Sequence, residues 1–536
     1  MSETGTGTEA EARPADAAAG PTLLPAPGSG PEGPRSPGGS PETASGEAPR
    51  LGAFLARAAA GTAVLTVLAA VLGLVRDQAI ARYFGASDAS DAFLIAWTVP
   101  EMAATLLIED GMALLLVPAF SLALTRRASG DAEEGPDPVR ELVAATLPRL
   151  FLLLSGGAAL LIARRCSAAL RAHGSFLPPA GVYVAYNLGI IGMTLALHAA
   201  WGVRAAAAGV AVGSALMILT QLPVFLRLVP LARPRLPRFG RLGRRAARSA
   251  PLLGFAVLAP VVVFVVSRQS QVLVERFLAS TLPAGAISHL NYAQKVAQMP
   301  MVLSLMICTV TFPVVAQAMA AGEHEKARRR VERDLGLAGM VVLLGTAVVL
   351  GYAPQIVEVL FQRGAFDSAD TASTAQVMRV YALGLLGHCL VGALSRPFFS
   401  SGRPTWFPAF AMGTGLLVTM GAGYALTYRF GVDGIATANA IGISSTALLL
   451  LMGLGTRVVP IRARDVALSL SRLAGASLAA GAAGWACAPL VPDPVLSLAA
   501  GCLLVPAVFF LTGLALRSPE VVSLLALTRR RFLDGR

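Results

Sequence analysis

Long apolar runs recur along the chain from about Leu51 to Leu516, separated by short polar stretches. About 20 residues of helix cross the ~30 Å hydrocarbon core of a bilayer, so runs of roughly 18 or more are transmembrane candidates. By that criterion the candidate spans are 53–75, 91–124, 141–163, 178–200, 205–227, 251–277, 286–317, 335–359, 373–399, 406–427, 431–455, 466–487 and 494–516. Inside a bilayer no water satisfies the backbone, so each span is expected to be helical. The run 91–124 is too long for a straight crossing. Pro100 and the pair Glu109–Asp110 predict a kinked helix that projects beyond the bilayer or lines a wet cavity.

The polar stretches alternate in charge. Residues 227–248 hold eight arginines and no acid, 323–334 read EHEKARRRVERD, 457–464 hold three arginines, and the C-terminus carries Arg529, Arg530, Arg531 and Arg536. The intervening loops are poor in basic residues: Arg204, Arg363 with two aspartates, Arg429 beside Asp433, and Asp493. The positive-inside rule therefore places the basic loops and the C-terminus in the cytoplasm. Residues 141–163 resist a simple crossing. Counting from either terminus puts both of their basic flanks (Arg126 and Arg127, then Arg164, Arg165 and Arg171) on one side. The expectation is a re-entrant run or shortened helical pair bending at Gly156–Gly157, with Cys166 facing the cytoplasm.

Composition agrees. Of 536 residues, 55% are hydrophobic and 14% charged, with mean hydropathy +0.65; soluble domains carry about 25% charged residues. The net charge of +13 and pI near 10.3 would ordinarily raise a nucleic-acid reading. Here the charge sits in loops between spans, which excludes that class and makes the bilayer the partner. Lys295 and Lys326 are the only lysines. The five cysteines (Cys166, Cys308, Cys389, Cys487, Cys502) are solitary, without metal-ligand or disulfide spacing, and read as packing residues.

Residues 1–50 contain no aromatic residue and are rich in Gly, Pro, Ala, Ser, Thr and Glu, so a disordered cytoplasmic tail without signal-peptide pattern is expected. The predicted organisation is this tail, an N-terminal helical lobe 51–230, a basic cytoplasmic linker 231–250, a C-terminal helical lobe 251–460, two last transmembrane helices 461–518, and a basic cytoplasmic tail 519–536.

An ionisable residue inside a span is costly and raises a functional hypothesis. Arg76 and Asp77 end the first predicted span, and Asp91 opens the second, which holds Glu101, Glu109 and Asp110. Arg268, Glu275 and Arg276 lie in or near the sixth, Lys295 in the seventh, Arg379 and His388 in the ninth. From position alone, Arg76, Asp77 and Asp91 serve equally well as interfacial caps and snorkelling side chains. Glu275–Arg276 reads as a local interfacial pair, Arg149 and Arg379 as snorkelling, and His388 as a packed polar residue. Glu101 and Glu109, at i and i+8, share one broad helix face, which favours a cavity lining.

Four stretches point to one family: VLGLVRDQAIARYFGASDASDAF (71–93), Glu109 to Phe120, LVERFLASTLPAGAISHLNYAQKVAQMP (273–300) and LFQRGAFDSADTASTAQ (360–376). Together they resemble the MurJ/MviN lipid II flippases of the multidrug/oligosaccharidyl-lipid/polysaccharide exporter superfamily. The resemblance implies an all-α polytopic membrane protein of about 13–14 helices, in two lobes around a central cationic cavity that opens alternately to cytoplasm and periplasm. The implied cargo is an undecaprenyl-pyrophosphate-linked cell-wall precursor, crossing from inner to outer leaflet of the bacterial inner membrane. Its tail would stay in lipid, along a groove of the last two helices. No cofactor and no catalysis are implied, and cell-wall synthesis proteins are candidate partners. Arg76 matches a cavity arginine of the family, Asp77 its neighbouring acid, Asp91 the acid beginning the second helix, Glu109 the acid of an E-G pair here interrupted by Asp110, and Asn187 an asparagine at the start of a helix.

The departures concern charge. Two family cavity arginines stand here as Ala70 and Ala104, and the Asp-Arg of the YADR motif is Gln294-Lys295. Lysine keeps the charge and loses the planar fork; Arg268 or Arg276 could restore positive charge. The expected substrate-binding set is Arg76, Asp77, Asp91, Glu109, Asn187, Lys295, Arg268 and Arg276. The rivals are a flippase for another lipid-linked glycan, a non-transporting membrane scaffold, and a drug/cation antiporter. Acids should dominate the cavity of an antiporter, whereas Arg76 and Lys295 favour an anionic cargo.

Overall fold

The computed structural model describes residues 47–104, 177–228, 255–304, 315, 322–400, 405–457 and 460–534. Arg57–Arg536 form one compact unit; Met1–Ala56 form another, described only in Glu47–Ala56. Every extended element among the described residues is an α-helix. In chain order these are α1 (Glu47–Phe84), α2 (Asp88–Ala104), α3 (Leu177–Trp201), α4 (Arg204–Leu228), α5 (Phe255–Ala279), α6 (Ala286–Ala297), α7 (His324–Phe361), α8 (Ser368–Ala382), α9 (Leu385–Ser400), α10 (Phe407–Arg457), α11 (Ala463–Cys487), α12 (Pro494–Ala515) and α13 (Pro519–Asp534). Seven stretches among them are long and apolar enough to cross a membrane, and α8 with α9, bent by 47°, make an eighth. The protein is thus a multi-span membrane protein.

Several predicted bounds change, each for a physical reason. The apolar run ends the first predicted span at residue 75, yet α1 continues to Phe84. Arg76 and Asp77 therefore lie inside the membrane-length segment Val64–Phe84 and not at its end. Their charge ends the apolar run without ending the helix, because both side chains find partners inside the protein. Likewise Asn187, expected at the start of a helix, lies midway along α3. The predicted span 286–317 is interrupted at Gln298, where α6 stops. The stretch 323–334, read as a loop, forms the first turns of α7. There Glu325 pairs with Arg328 and Arg329, and Arg330 with Asp334, at the i, i+3 and i, i+4 spacings that stabilise exposed helix.

The two predicted spans 406–427 and 431–455 form one hydrogen-bonded run, α10, that reverses at Gly431. Its φ of 55° and ψ of −129° suit glycine and strain any residue with a Cβ. The two arms pack antiparallel through small residues, with Gly415 against Gly442 and Thr446, and Thr446 Oγ1 within 3.4 Å of the Ala411 carbonyl. Small residues at such crossings let helix backbones approach where no hydrophobic effect drives association. Exposed Tyr424, Tyr428 and Phe430 cluster at the reversal, as aromatic rings do at a membrane–water interface.

In α7, Pro354 cannot donate to the carbonyl of Leu350, and the helix kinks at Tyr352. Arg379 of α8, expected to snorkel, instead donates its Nε to that Leu350 carbonyl at 3.1 Å. Helix α7 packs on α8, α11 and α12; α5 and α9 pack on α10; α3 packs on α4. The short helix α6 sits between α2 and α8. Its Tyr292 is fully buried against Phe361 and Phe366, which holds α6 in place beside the α7–α8 turn.

Candidate functional site

Four helices bring polar side chains to one interior point. Arg76 of α1 is 7% exposed, Asp77 3% and Trp97 of α2 3%. The Arg76 guanidinium donates Nε and one terminal nitrogen to Asp77 Oδ1 at 3.0 and 2.9 Å, and its other terminal nitrogen to Asn187 Oδ1 at 2.9 Å. Asn187 in turn donates to the Ala69 carbonyl at 3.1 Å, so α3 orients the arginine from a firm base. From α6, Lys295 Nζ approaches Asp77 Oδ2 at 3.3 Å and Glu101 at 3.9 Å. One carboxylate thus bridges two cations, an oxygen to each.

Both cations also face Trp97. The Arg76 Cζ lies 4.3 Å and the Lys295 Nζ 4.4 Å from its ring centroid. A cation over an indole face gains about 0.5–2 kcal/mol, more when desolvated. The indole is itself pinned, donating Nε1 to Tyr186 Oη at 2.9 Å and stacking on Phe93. Trp97 and Tyr186 were not singled out from the sequence. The available signal was that Trp97 precedes Glu101 by four residues, hence shares its helix face.

Asp91 serves a different purpose. Its carboxylate accepts from the backbone nitrogens of Gly285 (2.9 Å), Ile287 (3.4 Å) and Ser288 (2.8 Å) and from Ser288 Oγ (2.6 Å). It therefore caps the N-terminus of α6 from α2, satisfying donors that Gly285, the residue at the cap position, has no side chain to meet. Gly285 is left-handed (φ 89°) and its Cα faces the Ala86 carbonyl, so a side chain there would collide. Nearby, Ala365 donates to the Arg82 carbonyl at 2.8 Å, tying the α7–α8 turn to the end of α1. These hydrogen bonds make a latch of α1, α2, α6 and the α7–α8 turn.

A second polar network lies on the other side of α6. Gln294 and Gln298 donate to Tyr381 Oη at 3.0 and 2.9 Å, and His388 Nε2 is 3.0 Å from both Tyr381 Oη and Asn439 Oδ1. Asn439 donates to buried Glu275. The local Glu275–Arg276 pair expected from sequence does not form. Glu275 is taken by Asn439, and Arg276 reaches Asn291 Oδ1 at 3.2 Å instead. Arg276 lies within electrostatic range of Glu101, Glu275 and Asp91. Arg268, half-buried on α5, lies in range of Tyr381 and His388.

Of the expected binding set, the fold gathers Arg76, Asp77, Asn187 and Lys295 around Trp97, with Asp91 in the adjoining latch. Glu109 and Asp110, with the run 141–163 and Cys166, lie outside the described residues, as does the side chain of Ala104.

A bundle of membrane-length helices in which a buried carboxylate joins two cations belongs to the class of polytopic transporters. Its family is shown by comparison. The model of the Lipid II flippase MurJ family matches residues 137–494, more than half of the chain. A Lipid II flippase MurJ of Burkholderia cenocepacia is 24% identical over 429 residues, covering 73% of this chain and 82% of the relative. A probable lipid II flippase MurJ of Haemophilus influenzae is 26% identical over 484 residues, covering 78% and 90%. A solved Lipid II flippase MurJ in an inward closed conformation shares the fold at TM-score 0.63 and 19% identity, covering 87% of this chain and 99% of that one. The chain belongs to the Lipid II flippase MurJ family, a family of transporters and not of enzymes.

Proposed function

We propose that this chain moves lipid II from the inner to the outer leaflet of the inner membrane by alternating access, with its C-terminus in the cytoplasm. The observation that carries the reading is the carboxylate of Asp77 bridging Arg76 and Lys295 in the interior. A site that holds a bidentate anion between two cations can hold the oxygens of a diphosphate. Arginine supplies planar, paired donors for such a group and lysine a point charge. Asn187 supports Arg76 in this role, while Arg276 and Arg268 add positive charge along the route. Asp91 acts through the latch, by its hydrogen bonds to the N-terminus of α6.

Alternation then requires no covalent chemistry. Cargo binding competes with the internal ion pairs, the joint formed by Asp91 and α6 opens, and the head group passes while the polyprenyl tail stays in lipid. A second reading, a flippase for another polyprenyl-diphosphate glycan, rests on the departures from the family pattern at Ala70, Ala104 and Gln294-Lys295. Depletion of a bacterium's own lipid II flippase while this chain is expressed separates the two. Sustained growth supports lipid II transport. Failure to grow with normal membrane insertion supports the other cargo, or a non-transporting role.

A further inference from the structure

The anion site has two features that the cargo reading does not explain. Two cations share one indole, and their common counter-ion is part of the protein. Like charges at such short range repel strongly in a low-dielectric interior. What keeps Arg76 and Lys295 together is the Trp97 ring beside both of them, with Asp77 accepting from Arg76 and paired with Lys295 at 3.3 Å. Trp97 is 3% exposed, hydrogen-bonded to Tyr186 and stacked on Phe93, so its plane is set by α2 and α3 independently of either cation. Asp77 is a neighbour of Arg76 on the same helix and moves with it.

We propose that Trp97 is the positioning residue of the anion site: its indole carries Arg76 and Lys295 as a preformed cation pair, whose resident counter-ion Asp77 is exchanged for a diphosphate. This rests on the anionic-cargo reading above and deepens it. Asp77 is a placeholder that offsets one of the two positive charges and holds the pair closed while the site is empty. An arriving diphosphate offers more oxygens than one carboxylate and takes over the cations. Asp77 then loses its contacts with α6, which frees α1 from α6 beside the Asp91 latch. The transported anion itself thereby loosens the joint that must open.

The chain has four tryptophans, so replacing Trp201, Trp406 and Trp485 by Phe leaves Trp97 as a single fluorescent reporter in the full-length protein. Without ligand, Lys295→Met in that reporter should alter the emission of Trp97, because a cation leaves its ring. Unchanged emission overturns the pairing. Titration with inorganic pyrophosphate should give a saturable emission change, which Asp77→Asn shifts to several-fold lower concentration and Lys295→Met abolishes. For the ring itself, isothermal calorimetry with the same probe should show Trp97→Leu weakening binding roughly fivefold or more, while Trp97→Phe, which keeps a π face, restores most of it. Equal binding by the leucine variant, with the elution profile of the parent, overturns the positioning role. So does an Asp77→Asn variant that binds no more tightly than the parent. If pyrophosphate behaves as described but lipid II is not translocated, the cargo reading falls and the anion site stands. If lipid II is translocated and Trp97→Leu binds like the parent, the reverse holds.

Discussion

The two residues that matter most for the reading of Arg76 are not on its own helix. Asn187 fills one side of the guanidinium and Trp97 its face, so Arg76 is held and not snorkelling. Arg76→Ala should therefore abolish transport while membrane levels stay normal, as measured in a reconstituted flipping assay beside an immunoblot; full activity would return Arg76 to a structural role. For Lys295 the contacts are a point charge's: Asp77, Glu101 and the indole. Lys295→Arg should keep activity, and Lys295→Ala should lose it. An alanine variant that transports like the parent would remove α6 from the site. Asp91 is a cap from another helix, and Asp91→Ala leaves several buried donors without an acceptor. Loss of an N-cap costs about 1–2 kcal/mol, so thermal unfolding should shift downward, and Asp91→Asn should recover part of it. A melting curve identical to the parent's would show that the latch contributes nothing.

Charge in the sequence marked most of these positions, because an ionisable residue in an apolar run needs a reason. Trp97 and Tyr186 are hidden for the opposite cause: an aromatic residue in a membrane helix looks like packing until its ring is found beside two cations. Asp91 was visible as an acid at a helix start, yet its partner lies about 190 residues away in sequence at Gly285–Ser288, and no local pattern encodes such a cap. Glu275 and Arg276 misled because each finds a partner on another helix, Asn439 for Glu275 and Asn291 for Arg276, and no local pattern encodes that choice.

Among the elements, the long runs were legible and their breaks were not. Hydropathy finds where a helix is apolar, whereas its ends depend on what surrounds it. So α1 runs past Asp77, and α7 begins within a charged stretch. The reversal in α10 was legible as a gap between two runs, and the structure traces it to Gly431. Gly431→Ala puts a Cβ at φ 55°, a strain of about 1–2 kcal/mol. The expected result is a lower unfolding temperature in detergent with unchanged binding of inorganic pyrophosphate, since the reversal is remote in sequence from Arg76 and Lys295. Loss of pyrophosphate binding without loss of stability would tie α10 to the anion site.

At the scale of the molecule, the helices of a MurJ-family transporter are assembled around a site whose charges are balanced from within. Arg76 and Lys295 meet at Trp97 with Asp77 as their shared counter-ion, so an anion enters by exchange and not by simple attraction. The run 141–163 bears on the topology, and its re-entrant reading predicts that Cys166 faces the cytoplasm. In a variant retaining only Cys166, a membrane-impermeant thiol reagent should label the protein only after permeabilisation; labelling of intact spheroplasts would favour a full crossing. The central claim is that this chain carries lipid II across a bilayer through the Arg76–Lys295 site. The most direct measurement is translocation of lipid II in vesicles reconstituted with the purified full-length protein, comparing the parent with Arg76→Ala. The account predicts outer-leaflet lipid II for the parent and the empty-vesicle background for the variant. Equal translocation by both, or none by a well-inserted parent, would contradict it.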